Sequence, residues 1–383
     1  MATPAAKPGP STNIGQNGRR GVTQSFWERV TEGMALEQLW TQFKNEAQTT
    51  YRFYSRELPT TVGVAPGTSW QRCKAISSAF FWSVMNKLSP ARRLLLLAGV
   101  VMLVWPLELS FGLLQVTPNA MHVAGGLVLL LLLLLEVADR ITMKRDLQIA
   151  REIQSWLLPS KTPSICGLDI AFHNRPANTV AGDYYDVISR DGAVLIAVAD
   201  VAGKSLPAAL LMATLQASLR TLASRSMPLM EIVTGLNQYA CTHSNGGQRF
   251  TTAFIAEYIP ESGTLNYVNA GHNAPVLRGT DGTIEHLERG GVPLGIEATT
   301  RYESGTARLE PGDTLLIFTD GLVEGVNAGS QEYGEARLIE RLHGDRSMNS
   351  DALLTSLLRH FDAWVGTTPQ HDDVTLVVVR RTA

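Results

Sequence analysis

Seven consecutive leucines, Leu129–Leu135, restrict what this chain can fold into more than any other feature. A helix built from them has no polar face, and such a helix cannot lie on the surface of a water-soluble domain. The run closes an apolar stretch that begins at Ala120. Another apolar stretch precedes it from Leu94 to Val116, with Glu108 as its one charge and Pro106 as a kink point. Spanning hydrocarbon as a helix takes roughly 20 residues, and both stretches come close to that length. The competing arrangement is a pair of buried core helices. Lys87, Arg92 and Arg93 precede the first stretch, and Arg140, Lys144 and Arg145 follow the second. Thr117-Pro118-Asn119 between them carries no cation. Positive flanks mark the cytoplasmic side of a bilayer. The expectation is a transmembrane helical hairpin over 91–138, multi-pass in a cytoplasmic (inner) membrane, with both termini and everything after Asp139 in the cytoplasm. Both stretches lie too far into the chain for a cleaved signal peptide.

The remaining segments sort by composition and period. Residues 1–24 are rich in Gly, Pro, Ser and Asn without apolar periodicity, which predicts a disordered tail. The region 25–90 opens with Phe26, Val30, Met34, Leu36, Leu39, Trp40 and Phe43, mostly at helical spacing, and predicts a helical cytoplasmic N-terminal region. After the hairpin, 139–160 predicts a helical linker closed by Pro159. Its Met143, Leu147, Ala150, Gln154 and Leu157 follow the steps of a short coiled-coil seam, flawed by the small Ala150 and the polar Gln154. Ile149, Ile153 and Trp156 form a competing stripe. A homodimer through 139–158 and a single helix packed on the next domain both fit. A net charge of -2 without a basic stripe argues against nucleic-acid binding. Cys73, Cys166 and Cys241 form no CxxC pair, so neither a zinc site nor a disulfide framework is indicated.

Residues 161–383 have the texture of a compact α+β domain. Apolar or β-branched runs at Leu168–Phe172, Ala193–Val198, Thr252–Tyr258, Thr264–Val268, Thr314–Phe318 and Val374–Val379 are separated by glycine-containing turns. Helical patterns follow Ser205 and Pro207, cover 228–239, and recur over 335–342 and 350–364. Strands that cluster rather than alternate with helices predict antiparallel sheets covered by helices.

Four acidic groups stand where those strands begin or end. They are Gly182-Asp183-Tyr184-Tyr185-Asp186, Ala199-Asp200-Val201-Ala202-Gly203, Thr319-Asp320-Gly321 and His371-Asp372-Asp373. A carboxylate at a strand tip beside a turn is fixed yet open to water, which suits hard cations such as Mg²⁺ or Mn²⁺. Two such ions lower the pKa of a shared water and clamp a phosphoryl group for in-line attack. Any single one of these groups is as well explained as a turn; the combination carries the signal. Gly203-Lys204-Ser205 is a false phosphate loop, because Val198 stands where that motif needs glycine.

The ordered blocks AREIQSWLLP, AGDYYD, ADVAGKSLPAALLM, NAGHNAP, FTDGLVE and HDDVTLVVVR resemble the sigma-regulator and sporulation (RsbU/SpoIIE-like) branch of the PPM, or type 2C, protein phosphatases, over roughly Asp146–Arg381. The resemblance implies a four-layer αββα sandwich and hydrolysis of phosphoserine or phosphothreonine with two divalent cations, Mn²⁺ or Mg²⁺. Its implied substrate is a phosphorylated signalling protein, typically an anti-sigma-factor antagonist domain. Carried across, Asp200 bridges both metals with the Val201 carbonyl as a further ligand, and Asp183 serves one metal. Asp320 and one of Asp372 and Asp373, with Asp372 favoured, serve the other. Asp186 supports rather than ligates, and Gly182, Gly203 and Gly321 give the backbone access. His272 is a loop-shaping residue or a general acid. Arg175 is a candidate phosphate contact whose spacing departs from the wider family. Position 202 is Ala where eukaryotic members carry histidine, which leaves the leaving-group acid open. The alternative is a catalytically inactive scaffold of the same fold. Loss of a metal aspartate would mark it, and all four positions here are acidic.

Overall fold

The computed structural model describes residues 82, 85–86, 88–104, 109–111, 114–116, 118–159, 164–225, 227–243, 249–344 and 348–382. The tail over 1–24 and the amphipathic segment after it lie outside the described residues. Two compact units meet between Glu136 and Val137.

In the first unit, helix α1 (Pro90–Val104) is followed by a two-stranded antiparallel ladder of β1 (Leu109–Phe111) and β2 (Leu114–Val116) and then by the part to Glu136 of α2 (Pro118–Leu157). The described helix in the first apolar stretch runs to Val104. At 1.5 Å per residue, α1 is about 22 Å long, short of the roughly 30 Å of a hydrocarbon core. Further along that stretch, Leu109–Phe111 and Leu114–Val116 are strand. Glycine lets α1 and α2 approach closely: a Cβ at Gly125 would stand 2.9 Å from the Gly99 carbonyl, and one at Gly99 would stand 2.9 Å from Leu129. Arg92 Nη1 meets Glu136 Oε2 at 3.3 Å. Leu94, Leu127, Leu131, Leu133 and Leu134 are exposed.

Helix α2 runs unbroken for 40 residues, joining the leucine run to the expected linker, and ends before Pro159. In its last turns Gln154 is buried and Leu147, Ala150 and Leu157 are half-buried, while Ile149, Ile153 and Trp156 are exposed. The C-terminal part of the expected seam therefore faces the domain that follows, and the competing stripe faces outward.

The second unit is a layered sandwich. One sheet orders β10 (Gly290–Gly291), β7 (Thr264–Ala270), β6 (Thr251–Ile259), β5 (Ala193–Val201) and β4 (Tyr184–Arg190), with β11 (Gly305–Arg308) also on β7. The other orders β3 (Leu168–Arg175), β13 (Val374–Arg381), β12 (Thr314–Phe318), β8 (Val276–Arg278) and β9 (Ile284–His286). All pairings are antiparallel except β10 with β7. Helices α3 (Leu206–Ala223) and α4 (Leu229–His243) cover the first sheet. The second is covered by α6 (Glu335–Gly344) and α7 (Ser350–Val365), and a single turn, α5 (Asp320–Val323), follows β12.

The period of two along each strand explains the layers. Val194, Ile196 and Val198 of β5 meet Leu315, Ile317, Val377 and Val379 between the sheets. The alternate residues Leu195, Ala197 and Ala199 pack on Met212, Leu219, Ile232 and Leu236 of α3 and α4. On the other side, Leu316, Phe318, Leu376 and Val378 pack on Leu338, Leu342, Leu357 and Phe361. Both faces of the central strands are buried, so they read as continuous apolar runs rather than alternating ones. Each fully buried Val, Leu, Ile, Phe or Met among them stabilises by about 1.5–3 kcal/mol. Helix α3 is apolar and long enough to cross a membrane, but its apolar side is spent in this core.

Candidate active site

Strand register brings the aspartates together. Tyr184 pairs with Ala199 across β4 and β5, which sets Asp183 opposite Asp200. Phe318 pairs with Leu376 across β12 and β13, which sets Asp320 beside Asp372 and Asp373. The two pairs belong to different sheets, and side chains bind them to each other. The Thr319 and Thr375 hydroxyls, on the second sheet's side, both donate to Asp183 Oδ2, at 2.9 and 2.5 Å. In return, Asp373 accepts the backbone N–H of Ala177 at Oδ1 (2.7 Å) and of Gly182 at Oδ2 (2.6 Å). Asn174 Nδ2 holds the Thr375 hydroxyl from β3 at 2.8 Å.

Glycines permit the remaining approaches. A Cβ on Gly321 would lie 2.0 Å from the Asp373 carbonyl oxygen, so only glycine lets the turn after β12 reach the 372–373 loop. A Cβ on Gly182 would stand 3.1 Å from the Val201 carbonyl oxygen and 3.6 Å from Asp200 Oδ1, which puts all three on one side of the cluster. Gly203 holds φ +116°, a region that favours glycine, in the turn that leads into α3.

The charges are crowded. Burial, and then the charges of Asp320 and Asp372, push the Asp200 carboxyl up to about 7. Burial and then Asp200 hold Asp183 well above the ordinary carboxylate range against the hydroxyl donation of Thr375. Asp320 is raised by burial and by Asp372. Asp373 is raised by burial, opposed by its two backbone donors. The charges of Asp372 and Asp373 both act on Asp200 and Asp320, but Asp372 differs in its partner, its Oδ2 lying 2.8 Å from Lys204 Nζ. Lys204 Nζ also donates to the His371 carbonyl at 2.6 Å.

Among the described residues, no three Asp, Glu, His or Cys side chains close around one point as a metal cage. The cluster instead offers pairs of carboxylates and a backbone carbonyl at a partly open rim. That all-oxygen donor set with excess negative charge suits a hard cation that keeps several of its waters.

Other expected residues take different positions. Asp186 is buried and committed to a clamp: Arg220 Nε and Nη2 meet its two oxygens at 2.7 and 2.9 Å, and the Tyr184 hydroxyl donates to it at 2.7 Å. The clamp ties α3 to β4. His272 is buried, with Nδ1 3.0 Å from the Thr252 hydroxyl, and burial lowers its pKa to about 4, which keeps the ring neutral. Asn269 fixes its backbone from both sides. The Arg175 guanidinium pairs with Asp362 at 2.8 Å and lies over the Phe361 ring.

Several residues that build the site escape sequence reasoning. Thr319 and Thr375 sit inside quoted motifs, but nothing local marks them as partners of Asp183. Gln154 reads as a flaw in an apolar seam. In the fold its Nε2 donates to the Ala181 carbonyl at 2.7 Å and its Oε1 accepts the Ala181 N–H at 3.0 Å, two residues before Asp183.

Residues 190–382 match the family model described as Stage II sporulation protein E (SpoIIE). The phosphoserine phosphatase RsbU of Bacillus subtilis is 30% identical over 243 residues, covering 62% of this chain and 71% of that protein. Protein IcfG of Synechocystis is 25% identical over 64% of this chain, which spans only 43% of that longer relative. Among solved structures, the SiaA-PP2C domain of Pseudomonas aeruginosa superposes with TM-score 0.57 at 20% identity over 63% of this chain and 98% of that domain. The RsbU and RsbW domains of a Mycobacterium tuberculosis protein give TM-score 0.51 at 25% identity, over 59% of this chain and 63% of that one.

Proposed function

The chain belongs to the SpoIIE family of type 2C protein serine/threonine phosphatases, and from that premise we propose that Asp183, Asp200, Asp320 and Asp372 are its metal ligands and that its substrate is a phosphorylated signalling protein. One observation carries the ligand assignment: strand register, the Thr319 and Thr375 hydrogen bonds to Asp183 and the close approach at Gly321 gather carboxylates from four separate segments, and the charges of Asp320 and Asp372 raise Asp200. Such a cluster is costly unless cations neutralise it.

Asp183, Asp200, the Val201 carbonyl, Asp320 and Asp372 would hold the divalent cations, with Asp200 as the ligand they would share. Mn²⁺ or Mg²⁺ bound there supplies a water of lowered pKa and neutralises charge on the phosphoryl group. The protein's own residues aim and brace. Thr319 and Thr375 leave Asp183 one fixed orientation. Asp373 uses both oxygens on backbone N–H groups, so it shapes the loop that presents Gly182 and Asp183. His272, neutral and hydrogen-bonded to Thr252, supports the strand opposite Asp200 rather than delivering a proton. Lys204, half-exposed at the rim, is the cation nearest Asp372 and faces incoming phosphate. Arg175, already paired with Asp362, touches the substrate farther from the phosphate.

The substrate class is an anti-sigma-factor antagonist domain, on the family resemblance. Exposed leucines on α1 and α2 support a membrane anchor, with the hairpin in the bilayer and the second unit in the cytoplasm. The uninterrupted α2 supports control from the N-terminal side through Gln154 and Ala181 to the Asp183 loop. A homodimer, where formed, uses the outward stripe Ile149, Ile153 and Trp156.

The test is Mn²⁺-dependent hydrolysis of p-nitrophenyl phosphate by the purified chain, with loss of at least a hundredfold in Asp200→Asn. Metal-independent hydrolysis, or an unimpaired Asp200→Asn, refutes the assignment. Asp320→Asn as a trap in a pull-down from native cells reports the physiological substrate.

A further inference from the structure

A cavity of ≈ 330 Å³ adjoins the carboxylate cluster, and Asp372 and Gly321 line both. Val326, Phe361, Val365 and Pro369 form the apolar part of its lining. Phe361 is anchored in the core beneath α7. We propose that this cavity is the subsite for an apolar side chain flanking the phosphorylated residue of the protein substrate; the proposal rests on the phosphatase reading above.

Three features assign that occupant. The first is continuity. A phosphate held at the cluster leaves the chain on either side within 3.3–3.6 Å per residue, so a side chain about one or two positions away reaches a chamber that shares Asp372 with the cluster. The second is charge. Arg175 at the wall is paired with Asp362 at 2.8 Å, and Lys204 at the rim is paired with Asp372 at 2.8 Å, while Glu324 adds a carboxylate to the wall. An acidic occupant is therefore disfavoured, and an apolar one gains by covering Val326, Phe361, Val365 and Pro369. The third is a preformed wall. Gln370 Nε2 donates to the carbonyls of Arg175 (2.8 Å) and Asp372 (2.7 Å), which staples the 370–372 loop to the end of β3. The Gly366 N–H bonds to Asp362 and the Tyr333 N–H to Gly325, fixing the opposite sides. The volume lies at the low end of ligand sites and suits one large side chain rather than a whole domain face.

The experiment uses the full chain with Mn²⁺ and two kinds of probe. One is p-nitrophenyl phosphate. The other is a set of phosphoserine peptides that differ only in carrying Leu, Ala or Asp at each of the two positions on either side of the phosphoserine. Leu at one of these positions is expected to raise kcat/KM about tenfold over Ala, with Asp below Ala. Val365→Glu and Val326→Glu are each expected to erase that preference while p-nitrophenyl phosphate hydrolysis stays within about twofold. Thermal melts confirm that the variants are folded. Equal rates for Leu, Ala and Asp peptides overturn the proposal. So does a preference that survives in both folded variants, or a folded variant that loses both substrates equally. A wild-type chain without any Mn²⁺-dependent hydrolysis of p-nitrophenyl phosphate instead removes the phosphatase reading itself.

Discussion

Asp200→Asn is expected to stabilise the metal-free protein while abolishing its activity. Burial and the neighbouring Asp320 and Asp372 hold the Asp200 carboxyl at about 7, against an ordinary 3.8. A carboxyl whose folded pKa exceeds its unfolded one favours the fold while protonated. Its contribution is complete below about pH 4 and disappears as the pH rises through about 7. At pH 8 in a chelator, the wild-type protein therefore holds this ionised group against both burial and repulsion. The interval from 3.8 to about 7, at about 1.4 kcal/mol per pH unit, amounts to roughly 4 kcal/mol. The replacement amide must itself be satisfied in a largely buried place, which offsets part of the gain and leaves about 2–3 kcal/mol. In a unit of this size that is a rise of about 4–12 °C in Tm. The assay is thermal unfolding of the compact unit Val137–Ala383 in EDTA at pH 6 and pH 8. The gap between variant and wild type should be large at pH 8 and shrink at pH 6, where the wild-type carboxyl is mostly protonated. Added Mn²⁺ should stabilise the wild type and leave the variant unmoved. A variant no more stable than wild type at pH 8, or a gap independent of pH, refutes the reasoning.

Gly321→Ala forces a methyl group to 2.0 Å from the Asp373 carbonyl oxygen. The two loops must part, so a loss of about 2–3 kcal/mol in urea unfolding and a Mn²⁺ requirement raised at least tenfold are expected. Arg220→Ala leaves the buried Asp186 carboxylate with the Tyr184 hydroxyl as its remaining side-chain donor. The expected loss is about 3 kcal/mol, largely restored by adding Asp186→Asn, and a double-mutant cycle on unfolding midpoints measures it. Gln154→Ala strips both hydrogen bonds from the Ala181 backbone. The concentration of Mn²⁺ giving half-maximal activity should rise several-fold as the Asp183 loop loosens. An unchanged value would disconnect α2 from the site.

How much of this was legible in the sequence varied with how local its cause is. Strand β12 is read from Thr314 to Phe318 as it stands, because a run buried on both faces is bounded by the Gly312-Asp313 turn and by Asp320-Gly321. Strand β4 escapes, because Asp186 interrupts its apolar residues and only a partner on α3 explains that carboxylate. Strands β8 to β11 span two to four residues each, too few to show a period. Adjacent in sequence, Asp372 and Asp373 look equivalent. The folded backbone separates them by giving Asp373 the N–H groups of Ala177 and Gly182. Gln154 looks like a defect for the same reason, since its partner lies 27 residues on. Hydropathy marks the first apolar stretch as one span, while its described residues are helix to Val104 and strand over Leu109–Phe111 and Leu114–Val116.

The most direct test is anomalous diffraction from crystals of the catalytic unit grown with Mn²⁺. Two peaks are expected within bonding distance of Asp200, one also touching Asp183 and the Val201 carbonyl, the other Asp320 and Asp372, with Asp373 touching neither. A map with no peak at Asp200, or with Mn²⁺ held by other side chains, contradicts the ligand assignment.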